Sequence, residues 1–180
     1  MVVTIIMKDK AYLKALLDWN KWANEVTYEK VGELPLEEVM KERPTMLKSI
    51  FVSLHHLLNV DDIWLLNMQG KKHEYAGLRT TTIEDLATLA VERKKMDAAM
   101  AEYLDSLTEE QLEEVVPYTL FGGKEGTMSR AMCLTHLILH GSYHRGWISD
   151  MFGQAGAMQP HTDLPIFERT LREKGTSLPV

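Results

Sequence analysis

The sequence predicts an all-α protein, an antiparallel four-helix bundle with a short extra C-terminal helix. Apolar residues recur at spacings of three and four in four long segments, which is the period of an amphipathic helix,. The connectors between these segments are of modest length, which favours antiparallel neighbours. A chain of 180 residues with 45% hydrophobic and 26% charged residues is typical of one globular unit,. We therefore expect a single domain over residues 1–180.

The first two predicted helices carry clear apolar stripes. The first spans about residues 9–31, with Asp9 as its N-cap and Gly32 as its stop signal,. The second spans about residues 45–68 and ends before a glycine. Its apolar stripe consists of Leu47, Ile50, Phe51, Leu54, Leu57, Leu58 and Leu65.

The third predicted helix spans about residues 83–104, and its periodicity is less clean. Thr81 and Glu84 have the spacing of a capping box, in which each side chain accepts a hydrogen bond from the backbone N–H of the other residue,. The weaker stripe includes Arg93 and Asp97 among its periodic positions. This pattern predicts a helix more exposed than the first two.

The remaining elements surround the fourth long helix. Thr108 and Gln111 form a second capping box that opens a single helical turn,. Turn-forming glycines in residues 117–126 indicate a short hairpin or an irregular loop,. The fourth helix then spans about residues 129–151, and a short terminal helix is predicted over residues 163–173.

The charge pattern argues against nucleic-acid binding. The net charge is −6, and the basic residues are scattered as short pairs such as Lys71–Lys72 and Lys94–Lys95. A protein that binds nucleic acid usually concentrates its basic residues to displace counterions from phosphates. We therefore expect no nucleic-acid partner.

Other sequence features predict a cytoplasmic protein without a membrane anchor. No apolar run approaches the roughly 18 residues of a spanning helix, and residues 1–7 lack the features of a signal peptide,. The single cysteine, Cys133, excludes a disulfide within the chain and fits a reducing compartment,. Because Cys133 lies in an apolar run, we expect it to be a small buried hydrophobic residue.

The histidines carry the functional signal. His140 and His144 lie one turn apart on the fourth helix, so their imidazoles point the same way and can chelate one ion,. A third ligand would come from the second helix, where His55 and His56 are adjacent and point about 100° apart. The spacing does not decide between these two, and His136 with His140 is a rival pair. Hydrogen-bonded core histidines are the plain alternative to a metal site.

Three imidazole ligands leave a coordination position open, which is typical of a catalytic site. Imidazoles suit zinc, nickel, copper or iron(II). Asp61 is the best acidic candidate beside the site, with a helix-surface or capping role as its alternative. Tyr143 and Arg145 are predicted either to line the pocket or to lie at a dimer contact or in solvent. Trp147 follows on the same helix.

Two further groups of aromatic and histidine side chains are expected to have ordinary roles. Large apolar side chains at helical spacing are expected in the core or in a pocket wall; these are Trp19, Trp22 and Trp64. His73 and His161 fall in predicted loops and are expected to be solvated.

Three stretches of the chain resemble the DinB/YfiT-like family of metal-dependent proteins. These are residues 18–24 (DWNKWAN), residues 54–64 (LHHLLNVDDIW) and residues 136–146 (HLILHGSYHRG), and residues 162–165 (TDLP) also fit. The matches come in the family's order over nearly the whole chain. The resemblance implies a four-helix bundle that holds a divalent metal between its second and fourth helices, often as a homodimer.

The resemblance also selects the ligands. It implies His56, His140 and His144 as the metal ligands, and it gives His136 a recurrent position that is not usually a ligand. Many relatives carry Gln where Trp147 stands here, so this residue is expected to reshape the mouth of the site. No catalytic residue is assigned by the sequence.

The resemblance further implies what the site does. Its relatives include thiol S-transferases that use low-molecular-weight thiols, and some hydrolases. We therefore expect a zinc or nickel ion, with iron or copper as alternatives, and a small-molecule substrate such as a low-molecular-weight thiol. The alternatives are a non-catalytic metal-binding stress-response module and a plain structural bundle.

Overall fold

A computed structural model describes residues 9–176. The prediction that residues 1–7 are not a signal peptide falls on residues that lie outside the described range. The long helices are α1 (Lys10–Gly32), α3 (Ile50–Met68), α4 (Leu86–Ser106) and α6 (Arg130–Gln154). The shorter elements are α2 (Leu36–Met40), α5 (Glu109–Glu113), β1 (Val115–Thr119), β2 (Glu125–Ser129) and α7 (Leu164–Glu173).

The four long helices confirm the predicted bundle. α1 packs against α4 and α6, and α3 packs against the same two helices, so the four surround a common core. α3 buries 16 of its 19 residues, whereas α4 buries 5 of its 21, which agrees with the prediction that the third long helix is more exposed. None of the helices within residues 9–176 is long and apolar enough to cross a membrane.

The predicted start of α1 is confirmed, and the start of α3 differs. The Asp9 carboxylate accepts hydrogen bonds from the first backbone amides of α1. α3 begins at Ile50 rather than near residue 45, because Lys48 adopts a left-handed backbone with φ of 69° and Ser49 then caps the helix,. The short α2 was not predicted.

The predicted capping box at Thr81 and Glu84 is wrong. α4 begins only at Leu86, and its N-cap is Asp85, whose carboxylate accepts from the Thr88 amide. The segment before it stays non-helical because the backbone amides of residues 82 and 83 donate to a buried histidine of α3. The capping box of Thr108 and Gln111 is present as predicted.

A two-stranded hairpin occupies the glycine-rich region. Of the two structures predicted for it, the short hairpin is therefore present and the irregular loop is not. β1 and β2 pair antiparallel, with Tyr118 opposite Gly126. A Cβ atom on Gly126 would lie 2.5 Å from the Tyr118 hydroxyl, so only glycine lets that ring pack across the strand. The hairpin contacts α3 and α6 and lies beside the histidines described below.

The core contains the predicted apolar residues. Trp19 and Trp64 are buried, and Trp22 is half-buried against the ring of Phe167 on α7. Cys133 is fully buried, and burial raises the pKa of its thiol to about 11. A thiol with so high a pKa is protonated at neutral pH, so Cys133 packs as a small hydrophobic residue as expected.

Candidate metal centre

The packing of α3 against α6 brings together three histidines that are far apart in sequence. His56 on α3 faces His140 and His144, which lie one turn apart on α6. One ring nitrogen from each residue lies within 4.8 Å of the other two. The Nε2 atoms of His56 and His140 are 3.3 Å apart. Two nitrogens bound at about 2.0–2.1 Å to one tetrahedral ion would be separated by roughly this distance.

The His56 ring is held in place by a backbone contact. Its Nδ1 lies 3.0 Å from the carbonyl oxygen of Leu78, to which it donates. This hydrogen bond fixes the tautomer and leaves Nε2 unprotonated and directed at the cluster. The ring of Phe121, from the hairpin turn, stacks on His56 at 6.3 Å between centroids. The α3–α4 connector and the hairpin therefore set the orientation of this imidazole.

His55, left as an alternative by the spacing, has a different partner. It is completely buried, and its Nε2 accepts hydrogen bonds from the backbone amides of Thr82 and Ile83, both at 3.1 Å. Because this nitrogen is used to hold the α3–α4 connector, His55 is a structural acceptor. Of the two adjacent histidines, the structure places His56 with the α6 pair.

The other histidines lie outside the cluster. The His136 ring is 5.7 Å from that of His140 and packs at 4.9 Å from Trp64. The prediction that His73 is solvated is wrong, because its ring is half-buried and Nε2 donates to the Thr119 carbonyl at 2.9 Å. His161 is exposed, as predicted.

Burial makes the three clustered imidazoles poor bases. Desolvation, together with the nearby His144, His56 and His136, lowers the pKa of His140 to about 2. Desolvation and the neighbouring His56 lower the pKa of His144 to about 4. The pKa of His56 is also lowered, chiefly by burial. All three rings are thus neutral at pH 7, the form that binds a metal.

The desolvation of the three imidazoles also fits a metal ion. The Nδ1 atoms of His140 and His144 are buried and have no hydrogen-bond partner among the described residues. Three neutral, desolvated imidazoles lose hydrogen bonds to water on folding and regain few within the protein. A divalent transition-metal ion would coordinate the facing Nε2 atoms of His56 and His140 and so replace hydrogen bonds to water lost on folding,.

An aromatic wall borders the centre on the α6 side. The rings of Tyr143 and Trp147 lie 5.2 Å and 4.9 Å from that of His144. Tyr143 is 59% exposed, so it contacts both the centre and the surface. Trp147 also lines an open cavity of about 300 Å³ together with Thr45 and Met46. The residue predicted to reshape the mouth of the site therefore contacts both this cavity and His144.

The side chain of Arg145 lies inside the bundle, so both roles predicted for it are wrong. It was predicted to line the pocket or to lie at a dimer contact or in solvent, but it is 2% exposed. Its Nη1 donates to the side-chain oxygens of Asn20 and Asn24 on α1, at 2.8 Å each. Its guanidinium also lies over the ring of Trp19 at 5.2 Å. Arg145 therefore connects α6 to α1 inside the bundle.

Asp61 is likewise internal, so the surface or capping role considered for it is wrong. Its carboxylate accepts from Arg93 of α4 at 2.6 Å. Arg93 also pairs with Asp97 at 2.9 Å, and Asn24 donates to Asp97 at 3.0 Å. We call the residues that link all four long helices in this way the charged network; they are Asn20, Asn24, Asp61, Arg93, Asp97 and Arg145.

Sequence reasoning missed the partners in this network, although a signal was present. Arg93 and Asp97 occupy the periodic, inward-facing positions of α4, four residues apart. Charged residues at core positions are almost always paired when buried. Their presence in an apolar stripe, with Asp61 in the apolar stripe of α3, indicated a buried ion pair between the helices.

Comparison with known proteins agrees with this architecture. The DinB family model matches residues 7–175. Protein DinB of Bacillus subtilis (strain 168) is 28% identical over 177 residues, covering 89% of this chain and 95% of that protein. The crystal structure of a DinB-like protein from Bacillus cereus ATCC 10987 superposes with a TM-score of 0.62 and 21% identity, covering 81% of this chain and 94% of that one. The chain belongs to the DinB family.

Proposed function

We propose that the protein is a metal-dependent enzyme that holds one zinc or nickel ion with His56, His140 and His144. The observation that carries this proposal is the convergence of three neutral imidazoles from two helices, two of them buried and that of His140 half-buried. Such ligands bring no negative charge, so the ion would keep its full double charge. Iron and copper also accept imidazole ligands and are the alternatives.

The proposed reaction is transfer of a low-molecular-weight thiol to a small electrophile, or hydrolysis of a small molecule. A bound ion would lower the pKa of a thiol or water, so that either becomes a nucleophile at neutral pH. In transfer, the sulfur forms a bond to the electrophilic carbon, the leaving group departs with its electron pair, and the thiol proton passes to solvent.

The chain's own residues would position the reactants. The Leu78 carbonyl holds the His56 ring, and Phe121 covers one face of it, which limits access of water from the hairpin side. The cavity beside Trp147 offers room for the organic part of a small substrate,. Asp61 is unsuited to act as a general base, because its carboxylate is paired with Arg93.

We further propose that the enzyme works as a homodimer in the cytoplasm. The exposed apolar side chains Leu139 and Tyr143 on α6 support contact with a second copy,. The single free cysteine supports a reducing compartment,.

One observation favours a second candidate, a metal-binding module without catalytic activity. Within the described part of the chain, the ligand cluster consists of histidines alone, and the nearby acid Asp61 is already paired. General acid–base catalysis usually needs a titratable side chain within reach of the substrate. The absence of one from this cluster supports a role in binding rather than turnover.

The decisive experiment is an activity assay on metal-loaded protein. Zinc- and nickel-loaded samples are tested with a panel of low-molecular-weight thiols and a chromogenic electrophile, and separately with activated esters. We expect turnover that disappears with a chelator and in His140→Ala, and that persists in the exposed-histidine control His161→Ala. Turnover retained by His140→Ala would contradict the proposal. Metal binding without turnover across the whole panel would favour the second candidate.

A further inference from the structure

The connector between α3 and α4 spans residues 69–85, and none of these described residues is buried. Ile83, close to the start of α4, is the residue of the connector that packs against the apolar core. A segment that buries little apolar surface gains little from the hydrophobic effect. The position of the rest of the connector on α3 therefore depends on its hydrogen bonds.

Three side chains on one face of α3 hold the connector. His55, Asn59 and Asp62 are at positions i, i+4 and i+7, which lie on the same face of a helix,. The Asn59 amide donates to the carbonyl oxygen of Thr80 at 2.7 Å, and the Tyr75 hydroxyl donates to the Asp62 carboxylate at 2.8 Å. With the two backbone amides that donate to His55, these contacts attach the connector along about two turns of α3,.

Leu78, whose carbonyl accepts from the His56 ring, lies between two of these contacts. Tyr75 comes three residues before it, and Thr80 comes two residues after it. Thr80 also closes a turn around Leu78, because its backbone amide and its hydroxyl donate to the Gly77 carbonyl at 3.3 Å and 2.9 Å. The Leu78 side chain is 42% exposed, so its own packing does little to place the carbonyl. The position of this carbonyl therefore depends on the contacts on either side of it.

We propose that Asn59 and Tyr75 are positioning residues of the metal centre, which act on His56 through the Leu78 carbonyl. With the carbonyl in place, Nδ1 of His56 carries the proton and Nε2 presents its lone pair to the ion. When the connector leaves α3, Nδ1 loses its acceptor, and the ring is free to rotate or to carry its proton on Nε2. Either change removes a ligand. This inference rests on the proposed metal centre but does not depend on turnover.

The affinity of tag-free, full-length protein for zinc and for nickel tests this proposal, measured by competition with a chromophoric chelator. Loss of a residue that supports a metal-binding histidine typically weakens metal binding by about 10–100-fold. Since Asn59 and Tyr75 act one step further from the ion, we expect the low end of that range or less: about 10-fold for Asn59→Leu and about 3-fold for Tyr75→Phe.

Tyr103→Phe is the matched control. It also removes a tyrosine hydrogen bond to a backbone carbonyl, that of Met68, at 2.9 Å. Met68 lies about three turns from His56 along α3,. We therefore expect Tyr103→Phe to leave metal affinity unchanged. A loss of affinity as large as that of Tyr75→Phe would show that these tyrosines act through overall stability, and it would overturn the proposal.

Limited proteolysis provides a second readout, because coupling between two sites is reciprocal. If a closed connector favours metal binding, the bound ion must favour a closed connector. Arg79 is an exposed trypsin site within the connector, and Lys174 is an exposed site at the end of α7. We expect the more tightly bound ion to slow cleavage after Arg79 at least about 5-fold. Cleavage after Lys174 should not change, and the ion should have no effect on His140→Ala.

The outcomes separate this inference from the metal centre itself. Wild-type metal affinity in both Asn59→Leu and Tyr75→Phe, or cleavage after Arg79 that the ion does not slow, would overturn the inference and leave the metal centre intact. A wild-type protein that binds neither zinc nor nickel would overturn both. Tyr75→Phe removes one half-buried hydroxyl, so it keeps the test decisive if Asn59→Leu does not fold.

Discussion

The candidate metal centre and the charged network are both largely buried polar clusters between helices, but burial affects them in opposite ways. In the charged network, each buried charge meets an opposite charge or an amide oxygen, as in the pairs of Arg93 with Asp61 and Asp97. In the metal centre, three like groups converge, and burial holds them in the neutral form. The network pairs its opposite charges, although Arg93 Nε, Asp97 Oδ2 and two nitrogens of Arg145 have no hydrogen-bond partner among the described residues, whereas the histidine cluster lacks a central partner.

This difference separates polar residues that connect the helices from the candidate metal ligands. Both clusters include residues of α6, where His144 and Arg145 are consecutive and point about 100° apart,. Arg145 turns towards α1, and His144 towards α3. The motif of residues 136–146 thus serves two purposes: one set of side chains holds the helices together, and the other forms the centre.

Breaking the network should produce the largest loss of stability. Arg93→Met would leave two buried carboxylates without a counter-charge, and we expect it to lower the free energy of unfolding by about 3–5 kcal/mol. Urea denaturation measures this change. Lys95→Met on the same helix removes only the exposed pair with Glu92 and should cost about 0–1 kcal/mol,. Equal effects of the two substitutions would show that the buried network is not what stabilises the bundle.

Acidification should distinguish the two clusters, because it should change the folding stability in opposite directions through the histidines and through Asp97. In the unfolded chain, histidines take up protons below about pH 6.5, but folded His144 and His140 do so only near 4 and 2,. The unfolded state therefore binds more protons, and these residues make the metal-free protein less stable as the pH falls below 6.5.

Asp97 should oppose this trend. Burial raises its pKa to about 6, so the folded state binds the extra proton between about pH 6 and 4, and stability rises there as the pH falls,. Between pH 6.5 and 5 the two histidines should lower the free energy of unfolding by roughly 3 kcal/mol. Asp97 should raise it by roughly 1 kcal/mol over the same interval. We expect a net loss of about 2 kcal/mol in urea titrations. A stability that rises over this interval would contradict the neutral state of the histidines.

A matched pair of glycine substitutions tests the close approach of α1 to α6. A Cβ on Gly141 would lie 2.8 Å from Asn20 Oδ1 and 2.9 Å from Arg145 Nη1, whereas one on Gly146 meets nothing within 4 Å. Gly141→Ala should therefore lower the free energy of unfolding by about 1–3 kcal/mol. Gly146→Ala should stabilise the helix by about 0.5–1 kcal/mol. Thermal unfolding of both variants checks the difference, and a neutral Gly141→Ala would show that the network tolerates displacement.

Periodicity predicted the long helices because each buries a stripe of apolar side chains. The capping box of Thr108 and Gln111 was also predictable, because both of its partners lie within one helical turn. The start of α4 could not be predicted in this way. There, the tertiary hydrogen bonds from residues 82 and 83 to His55 replace the local pairing of Thr81 with Glu84. The lesson is that a local capping signal fails where a buried side chain from another helix competes for the same amides.

The site shows the same limit. Helical spacing identified His140 and His144, since both lie on one helix, but the choice of His56 over His55 depends on how α3 rotates against α6. The family resemblance supplied that choice in advance. Spacing within one helix could not show the roles of Arg145 and Asp61 either, because their partners lie on other helices.

The most direct test of the account is the metal content of protein purified without a histidine tag and incubated with zinc, nickel, iron(II) or copper. We expect wild type and the exposed-histidine control His161→Ala to retain about one equivalent of ion. His56→Ala, which removes one of three ligands, should bind it at least about 100-fold more weakly, beyond the loss typical of residues that only support a ligand. A wild type that retains no stoichiometric ion, or a His56→Ala variant that retains as much as wild type, would contradict the assignment of this centre.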